Sequence, residues 1–149
     1  MIETMLKMEE GLLERLREGK VVMLPTMGAS MRPFIQGERD KVLVRQQEEV
    51  GIGDIVLAPY RGIMILHRVY AVEGSRLILM GDGNLSCNEV VDKSEVWGTA
   101  VEIVKPNGRC RKPGKAWLWR HTLLLRRYLL KLDRKWNQLF CKQQKSNTI

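Results

Sequence analysis

The chain is poor in the residues that build cross-linked or metal-bound folds, with only three cysteines and two histidines in 149 residues. Cys87, Cys110 and Cys141 are odd in number, widely spaced and without a Cys-x-x-Cys pair. This pattern argues against a disulfide framework and against a zinc site. We therefore expect a reducing compartment, no metal and no cofactor.

Long apolar runs are also missing. No segment approaches the ~18 uninterrupted apolar residues that a transmembrane helix requires. Residues 1–18 mix acidic and apolar side chains, unlike a signal peptide, which has a basic start and an apolar run. The sequence thus predicts a cytoplasmic protein, either free or peripheral at the inner face of the membrane.

Acidic residues are nearly absent from the C-terminal part of the chain. Residues 109–149 hold 12 Lys/Arg and one Asp, net +11, whereas residues 1–108 hold 13 Lys/Arg and 16 Asp/Glu, net −3. Within the basic part, residues 115–142 show a helical pattern with one apolar and one basic side. Such a helix fits an anionic membrane surface, or it packs its leucines on protein. Nucleic acid is a weaker alternative because no recognition motif accompanies the charge, and the oligomeric state is left open.

The rest of the pattern predicts a mainly β protein. Residues 2–19 have the spacing of an amphipathic helix that Gly19 ends. Short segments rich in Val, Ile and Leu, separated by Gly, Asp or Asn, then predict a small coiled antiparallel β domain. We expect an N-terminal helix over 1–20, the β domain over 21–105, and a basic connector with its helix over 106–149. The predicted strands are Val21–Leu24, Asp40–Arg45, Asp54–Tyr60, Ile63–Glu73, Arg76–Met80 and Val96–Val104.

Two side chains are candidates for chemistry. Ser30 follows the end of the first predicted strand, in a segment where small residues allow close approach and Pro33 stiffens the turn. A serine hydroxyl needs a base to become a nucleophile, and His67, on the strand Ile63–Glu73, is the obvious partner. In a regular strand His67 would share a face with Ile63, Ile65, Val69 and Ala71.

Five motifs in order strengthen this pairing, and together they resemble the conserved boxes of type I signal peptidases. The order and spacing are similar to the archaeal and endoplasmic-reticulum branch, whose base is a histidine followed by Arg-Val. Self-cleaving LexA-like repressors share the fold and the serine but use a lysine base. The resemblance implies a signal-peptidase/LexA-like β fold. The motifs are Gly28-Ala29-Ser30-Met31-Arg32-Pro33, Asp40-Lys41-Val42-Leu43-Val44, Gly53-Asp54-Ile55-Val56, His67-Arg68-Val69 and Gly81-Asp82-Gly83-Asn84.

Carried over residue by residue, the resemblance makes Ser30 the nucleophile and His67 the general base of acyl transfer. The Ser30 N–H would be one oxyanion donor. Asp82, on a clear motif position, is predicted as the third catalytic residue or, alternatively, as a turn aspartate that bonds local N–H groups. Asn88, beside Glu89, stands where the histidine branch has its acid, so Asn88 or Asp82 orients the histidine in this interpretation.

The sequence departs from the family pattern in two further places. Gly28 replaces the serine that usually helps to form the oxyanion hole. Residues 37–40, Gly-Glu-Arg-Asp, interrupt the usual Gly-Asp and indicate a local insertion. Asp92 is a more distant candidate for the acid.

The favoured function is a serine endopeptidase that cuts a leader, signal or pro-segment peptide at small side chains. Extended peptide would lie along strand edges near Ser30. The alternative from another class is a catalytically weak or inactive relative that binds an extended peptide. A self-cleaving regulator is less favoured, because we see no DNA-binding helix pair before the core and no evident cleavage segment.

Overall fold

The computed structural model describes residues 2–84 and 88–146. In these residues one helix, α1, precedes an antiparallel sheet, and two helices, α2 and α3, follow it. The bounds are α1 Ile2–Arg17, β1 Val22–Pro25, β2 Lys41–Arg45, β3 Ile55–Tyr60, β4 Ile63–Glu73, β5 Arg76–Met80, β6 Glu89–Asp92, β7 Gly98–Val104, β8 Cys110–Arg111, α2 Trp117–His121 and α3 Leu123–Ser146, with a 3-10 turn at Lys93–Glu95.

The sheet runs in the order β1-β2-β7-β3-β4-β5-β6, and β8 pairs with β7. All of these pairings are antiparallel. The predicted fold class, a mainly β domain with flanking helices, is therefore confirmed. β1 and β6 lie at the two ends of this order, so each has one edge that the sheet does not use.

The β3–β4 hairpin, which carries the predicted base, closes through a tight turn. Arg61 and Gly62 form its two-residue turn with φ values of 48° and 81°. Two-residue hairpin turns that match the twist of the strands require positive φ at both positions. β3 and β4 then pair from Tyr60↔Ile63 through Ile55↔Arg68.

Hydrophobic side chains pack on both faces of this hairpin. One cluster joins Ile55 and Leu57 of β3 to Leu16 of α1 and to Met31 and Ile35, which follow Ser30. The second cluster holds Val56, Ala58, Ile65, Val69, Leu77, Leu79 and Val91. The segment around Ser30 thus belongs to the core.

Regular alternation along β4 stops after Val69. The pairing of β4 with β5 shifts between Val69 and Ala71, and Val72 instead of Ala71 then packs on the second cluster. An extra residue in a bulge moves the following side chains to the other face. The prediction that Ala71 shares the face of His67 was therefore wrong, whereas Ile65 and Val69 lie on one face as expected.

Two strands, β6 and β8, were not predicted, because four and two residues are too short to show an alternating pattern. The predicted C-terminal helix is interrupted at Thr122, whose Oγ1 donates to the Leu118 carbonyl at 2.6 Å. α2 ends there and α3 begins at the next residue.

The chain divides into two compact units, residues 1–116 and residues 117–149. α1 belongs to the first unit, since Leu16 is fully buried in its core. The three-part division at residues 20 and 105 stays a prediction. None of the described helices combines the length and the apolar character that crossing a bilayer requires.

Candidate active site

A cavity of about 740 Å³ lies within the first unit. Ser30, His67 and Glu89 all line it, so a hydroxyl, an imidazole and a carboxylate meet around one space. Most of the remaining lining is apolar and includes Leu12, Leu24, Ile35, Tyr60, Met64 and Leu66. Such a lining is typical of ligand pockets, which are mostly apolar with a few polar groups.

The turn that presents Ser30 is held by close backbone contacts. Gly28 has φ +74°, a left-handed conformation that disfavours other residues. A Cβ on Gly37 would lie 2.1 Å from the Gly28 carbonyl oxygen, so only glycine fits there. The Gly28 N–H donates to Glu38 Oε1 at 2.9 Å. The insertion at residues 37–40 thus folds back onto Gly28.

Asp40 holds the C-terminal end of the loop that contains Ser30. Its carboxylate is 3% exposed, accepts from the Gln36 N–H at 2.9 Å, and pairs with Lys105 Nζ at 2.6 Å. The Thr26 hydroxyl donates to the Asp40 carbonyl at 2.7 Å. The loop from Thr26 to Asp40 is therefore closed at its base, which limits the movement of Ser30 within it.

The motif Gly81-Asp82-Gly83-Asn84 packs directly against the Ser30 turn. The Gly83 N–H donates to the Ser30 carbonyl at 2.7 Å. A Cβ on Gly81 would lie 2.3 Å from that same carbonyl oxygen, and one on Gly83 would lie 2.4 Å from the Ala29 oxygen. Both glycines are required by backbone-to-backbone contact. The motif therefore holds the backbone at Ser30 in place.

Arg68 and Asp82 form a fully buried ion pair. Arg68 Nε donates to both Asp82 oxygens at 2.9 and 3.0 Å, and Nη2 donates to Oδ2 at 2.8 Å. Arg68 Nη1 donates to the Gly53 and Gly114 carbonyls, both at 2.8 Å. The pair joins β4, next to His67, to the motif that supports Ser30.

This pair gives Asp82 a structural role beside the catalytic one that the sequence predicts. Its carboxylate holds Arg68, and successive residues of a strand face opposite sides of the sheet, so Arg68 and its partner lie on the face away from His67. Asp82 is a structural neighbour of Ser30 in this arrangement. Its role as the third catalytic residue stays a prediction.

Glu89 is the acid that contacts His67. His67 Nδ1 and Glu89 Oε2 are 3.0 Å apart, and the two side chains are only 8% and 12% exposed. A nearly buried imidazole held by a carboxylate has a fixed ring orientation and tautomer, with the proton on Nδ1. The arrangement leaves His67 Nε2 as the nitrogen that can act on another group.

Sequence reasoning offered Asn88 or Asp82 as the residue that orients His67 and did not select Glu89; Asn88 is exposed. The missed signal was the strand β6. Val91 is buried in the second cluster, and residues two apart in a strand share a face. Glu89 therefore points to the side where Val69 and His67 lie. Because β6 was not predicted, the sequence did not show that Glu89 lies on the same face as His67.

Asp92, the more distant candidate, has a local role. It caps the 3-10 turn at Lys93–Glu95: its Oδ1 accepts from the Ser94 N–H at 2.9 Å, and Glu95 accepts from the Asp92 N–H. The Ser94 N–H, followed by the hydroxyls of Ser94 and Ser75, lowers the pKa of Asp92. Its carboxylate is thus engaged in a capping box.

An oxyanion donor is available at Ser30 itself. Within the residues that the structure describes, the Ser30 N–H donates to no other group, and Gly28 adds no hydroxyl beside it. The same described residues contain no group of three His, Cys, Asp or Glu side chains that could hold a metal ion. The chemistry these side chains can support is acyl transfer by a serine with a histidine base.

Comparison with known proteins agrees with this geometry. A family model described as Peptidase S24-like matches residues 1–101, a region that holds all five motifs, Ser30, His67 and Glu89. No curated protein matches the chain. The match covers more than half of the chain, and the chain belongs to the Peptidase S24-like family, whose function is of the serine peptidase or self-cleaving regulator type.

Proposed function

We propose that this protein is a serine endopeptidase with a Ser30-His67-Glu89 triad. Its base would be a histidine, as in the histidine-base branch of the signal peptidases. The observation that carries the proposal is the His67 to Glu89 contact of 3.0 Å at a cavity that Ser30 also lines. No lysine is among the described residues that line this cavity. A histidine base therefore fits the site better than the lysine base of the LexA-like relatives.

In the proposed reaction His67 Nε2 takes the proton from Ser30 Oγ as the hydroxyl attacks the peptide carbonyl. Glu89 stabilises the imidazolium that forms, while the Ser30 N–H donates to the developing oxyanion. The imidazolium then protonates the leaving amine, which departs and leaves an acyl-enzyme. Water, deprotonated by His67, hydrolyses that ester and restores the serine.

We infer that the substrate is an extended peptide with small residues next to the cleaved bond, as the resemblance to signal peptidases implies. The free edge of β1 ends at Pro25, and Leu24 and Pro25 line the cavity. A strand added at this edge would gain main-chain hydrogen bonds and reach Ser30. A leader or pro-segment is a substrate of this kind.

The direct test is labelling with a fluorophosphonate, which reacts with an activated serine whatever the natural substrate. The intact protein should be labelled at Ser30, as mass spectrometry of the digested protein would show. Ser30→Ala and His67→Ala should each lose labelling and cleavage of alanine-containing peptides by about 10⁴-fold or more, since the residues act as one unit. Ser75→Ala and His121→Ala, at exposed positions, are the matched controls.

The same experiment separates the alternatives. An intact protein that binds extended peptides but is never labelled at Ser30 would be the inactive relative, for which the missing hydroxyl at Gly28 is the favouring observation. Cleavage of the chain itself, lost in Ser30→Ala, would identify a self-cleaving regulator. Either result would overturn the endopeptidase proposal.

A further inference from the structure

α3 carries an exposed apolar stripe. Its described members recur at the helical spacing i, i+3, i+4, i+7 and i+11, which places them on one face. Their side chains are between 38% and 65% exposed. The stripe consists of Leu125, Tyr128, Leu129, Leu132 and Trp136.

A different face of α3 is buried. Arg126 is fully buried and Leu130 is 4% exposed, and these two residues are one turn apart. The Arg126 guanidinium lies 5.8 Å from the ring centroid of Trp119 in α2, a cation–π contact. Among the described residues, α3 therefore packs through a face that does not include the stripe.

The remaining face is basic. Its exposed cations follow the helical period, and the sequence around them gives residues 109–149 a net charge of +11 with a single acid. They are Arg127, Lys131, Arg134 and Lys135. An exposed apolar stripe beside an exposed basic face is the arrangement of helices that lie in the plane of a membrane interface.

We propose that this stripe of α3 binds the interfacial region of an anionic lipid bilayer. Charge complementarity selects this occupant. Two copies of so basic a segment would repel each other if they met face to face, and a nucleic acid would contact the cations while leaving three leucines in water. A bilayer with anionic headgroups contacts both faces at once, with Tyr128 and Trp136 at the headgroup level.

Co-sedimentation of the full chain with vesicles tests the proposal. The protein should bind phosphatidylglycerol/phosphatidylcholine vesicles and bind pure phosphatidylcholine vesicles at least about tenfold more weakly, since each engaged Lys or Arg adds to the attraction. Raising the salt concentration should release it. The proposal does not depend on the Ser30 chemistry, and the Ser30→Ala variant should bind the same vesicles as tightly.

Two variants measure separately how much the apolar stripe and the basic face of α3 contribute to vesicle binding. Leu125→Ser/Leu129→Ser/Leu132→Ser should weaken binding to anionic vesicles by about tenfold or more while retaining the circular dichroism of the parent, because the leucines are exposed. Replacing Arg127, Lys131, Arg134 and Lys135 by glutamine should weaken it similarly. Replacement of Arg17, Lys41, Arg45 and Lys93, exposed cations of the first unit, is the charge-matched control and should change binding little.

Three outcomes would overturn the proposal. The first is no binding to anionic vesicles by the intact chain at low salt. The second is a concentration-dependent dimer that the triple serine variant abolishes, which would make the stripe a contact between copies. The third is vesicle binding that both charge variants reduce equally, which would reflect net charge without a membrane-binding face.

Discussion

The His67 imidazole touches one carboxylate, Glu89, and this contact decides how the ring is used. Glu89→Gln removes the negative charge and keeps the side-chain size, so we expect cleavage to fall by about 10²–10⁴-fold. Initial rates of peptide cleavage measure this loss, and circular dichroism checks that the variant is folded.

Glu89→Asp is the matched variant, because it keeps the charge on a shorter side chain. It should retain more activity than Glu89→Gln. Equal losses of activity in the two variants would mean that the charge of Glu89 does not act on His67 and that another group orients the imidazole.

Gly28 has a backbone conformation that restricts which residue can stand there. At φ +74° a serine would be strained by roughly 1–2 kcal/mol, although a Cβ there would meet nothing within 4 Å. We expect Gly28→Ser to lower the free energy of unfolding by about that amount. Urea denaturation gives this value, and the rate of peptide cleavage shows whether the added hydroxyl helps the oxyanion.

The matched variant Gly28→Ala carries the same strain without the hydroxyl. A Gly28→Ser protein that is faster than Gly28→Ala would show that the missing hydroxyl limits the parent. Equal rates would mean that the Ser30 N–H stabilises the oxyanion without help from this position.

At the scale of elements, the turn Gly81-Asp82-Gly83-Asn84 after β5 supports Ser30, the proposed nucleophile. Gly81→Ala places a Cβ 2.3 Å from the Ser30 carbonyl oxygen, and backbone must shift to relieve this contact. We expect a loss of about 1–3 kcal/mol in the free energy of unfolding, together with slower labelling of Ser30. Denaturation and fluorophosphonate kinetics measure the two effects.

Gly51→Ala is the control for this element, since a Cβ there meets nothing within 4 Å and the backbone φ is not positive. Its stability and labelling should stay near those of the parent. Parent-like labelling of Ser30 in Gly81→Ala would show that the turn does not position the nucleophile.

At the scale of the whole first unit, the Arg68–Asp82 pair joins segments that are far apart in sequence. Asp82→Asn should cost about 3–5 kcal/mol of stability, because it leaves the buried Arg68 charge without its counter-ion. Arg68→Met should also destabilise, through the loss of its bonds to the Gly53 and Gly114 carbonyls. Thermal and urea unfolding of the two variants check these losses.

The double variant Arg68→Met/Asp82→Asn completes the cycle. It should be more stable than the sum of the single losses implies, since no unpaired buried charge remains. Strictly additive losses would mean that the two side chains act independently. Asp54→Asn weakens the pair with the exposed Lys115 and keeps an oxygen for the Gly51 N–H, so it should cost less stability than either buried single variant.

Local patterns in the sequence were enough to locate α1 and six strands of the sheet to within two residues, and to select Ser30 and His67 as candidates. Each of these depends on neighbours in the chain: an apolar period, a breaker such as Gly19, or a motif of consecutive residues. The fold class followed for the same reason, since several short strands close together in sequence pair as hairpins.

Only the tertiary structure decided which acid meets His67. Asp82 and Glu89 are both carboxylates a short distance beyond β5, and nothing in their order tells which one reaches the imidazole. The choice depends on which face of the sheet each occupies: Arg68 takes Asp82 on one face, and β6, aligned with β5, brings Glu89 to the other. Such pairing is set by the register of strands, which a short polar strand like β6 does not reveal in its sequence.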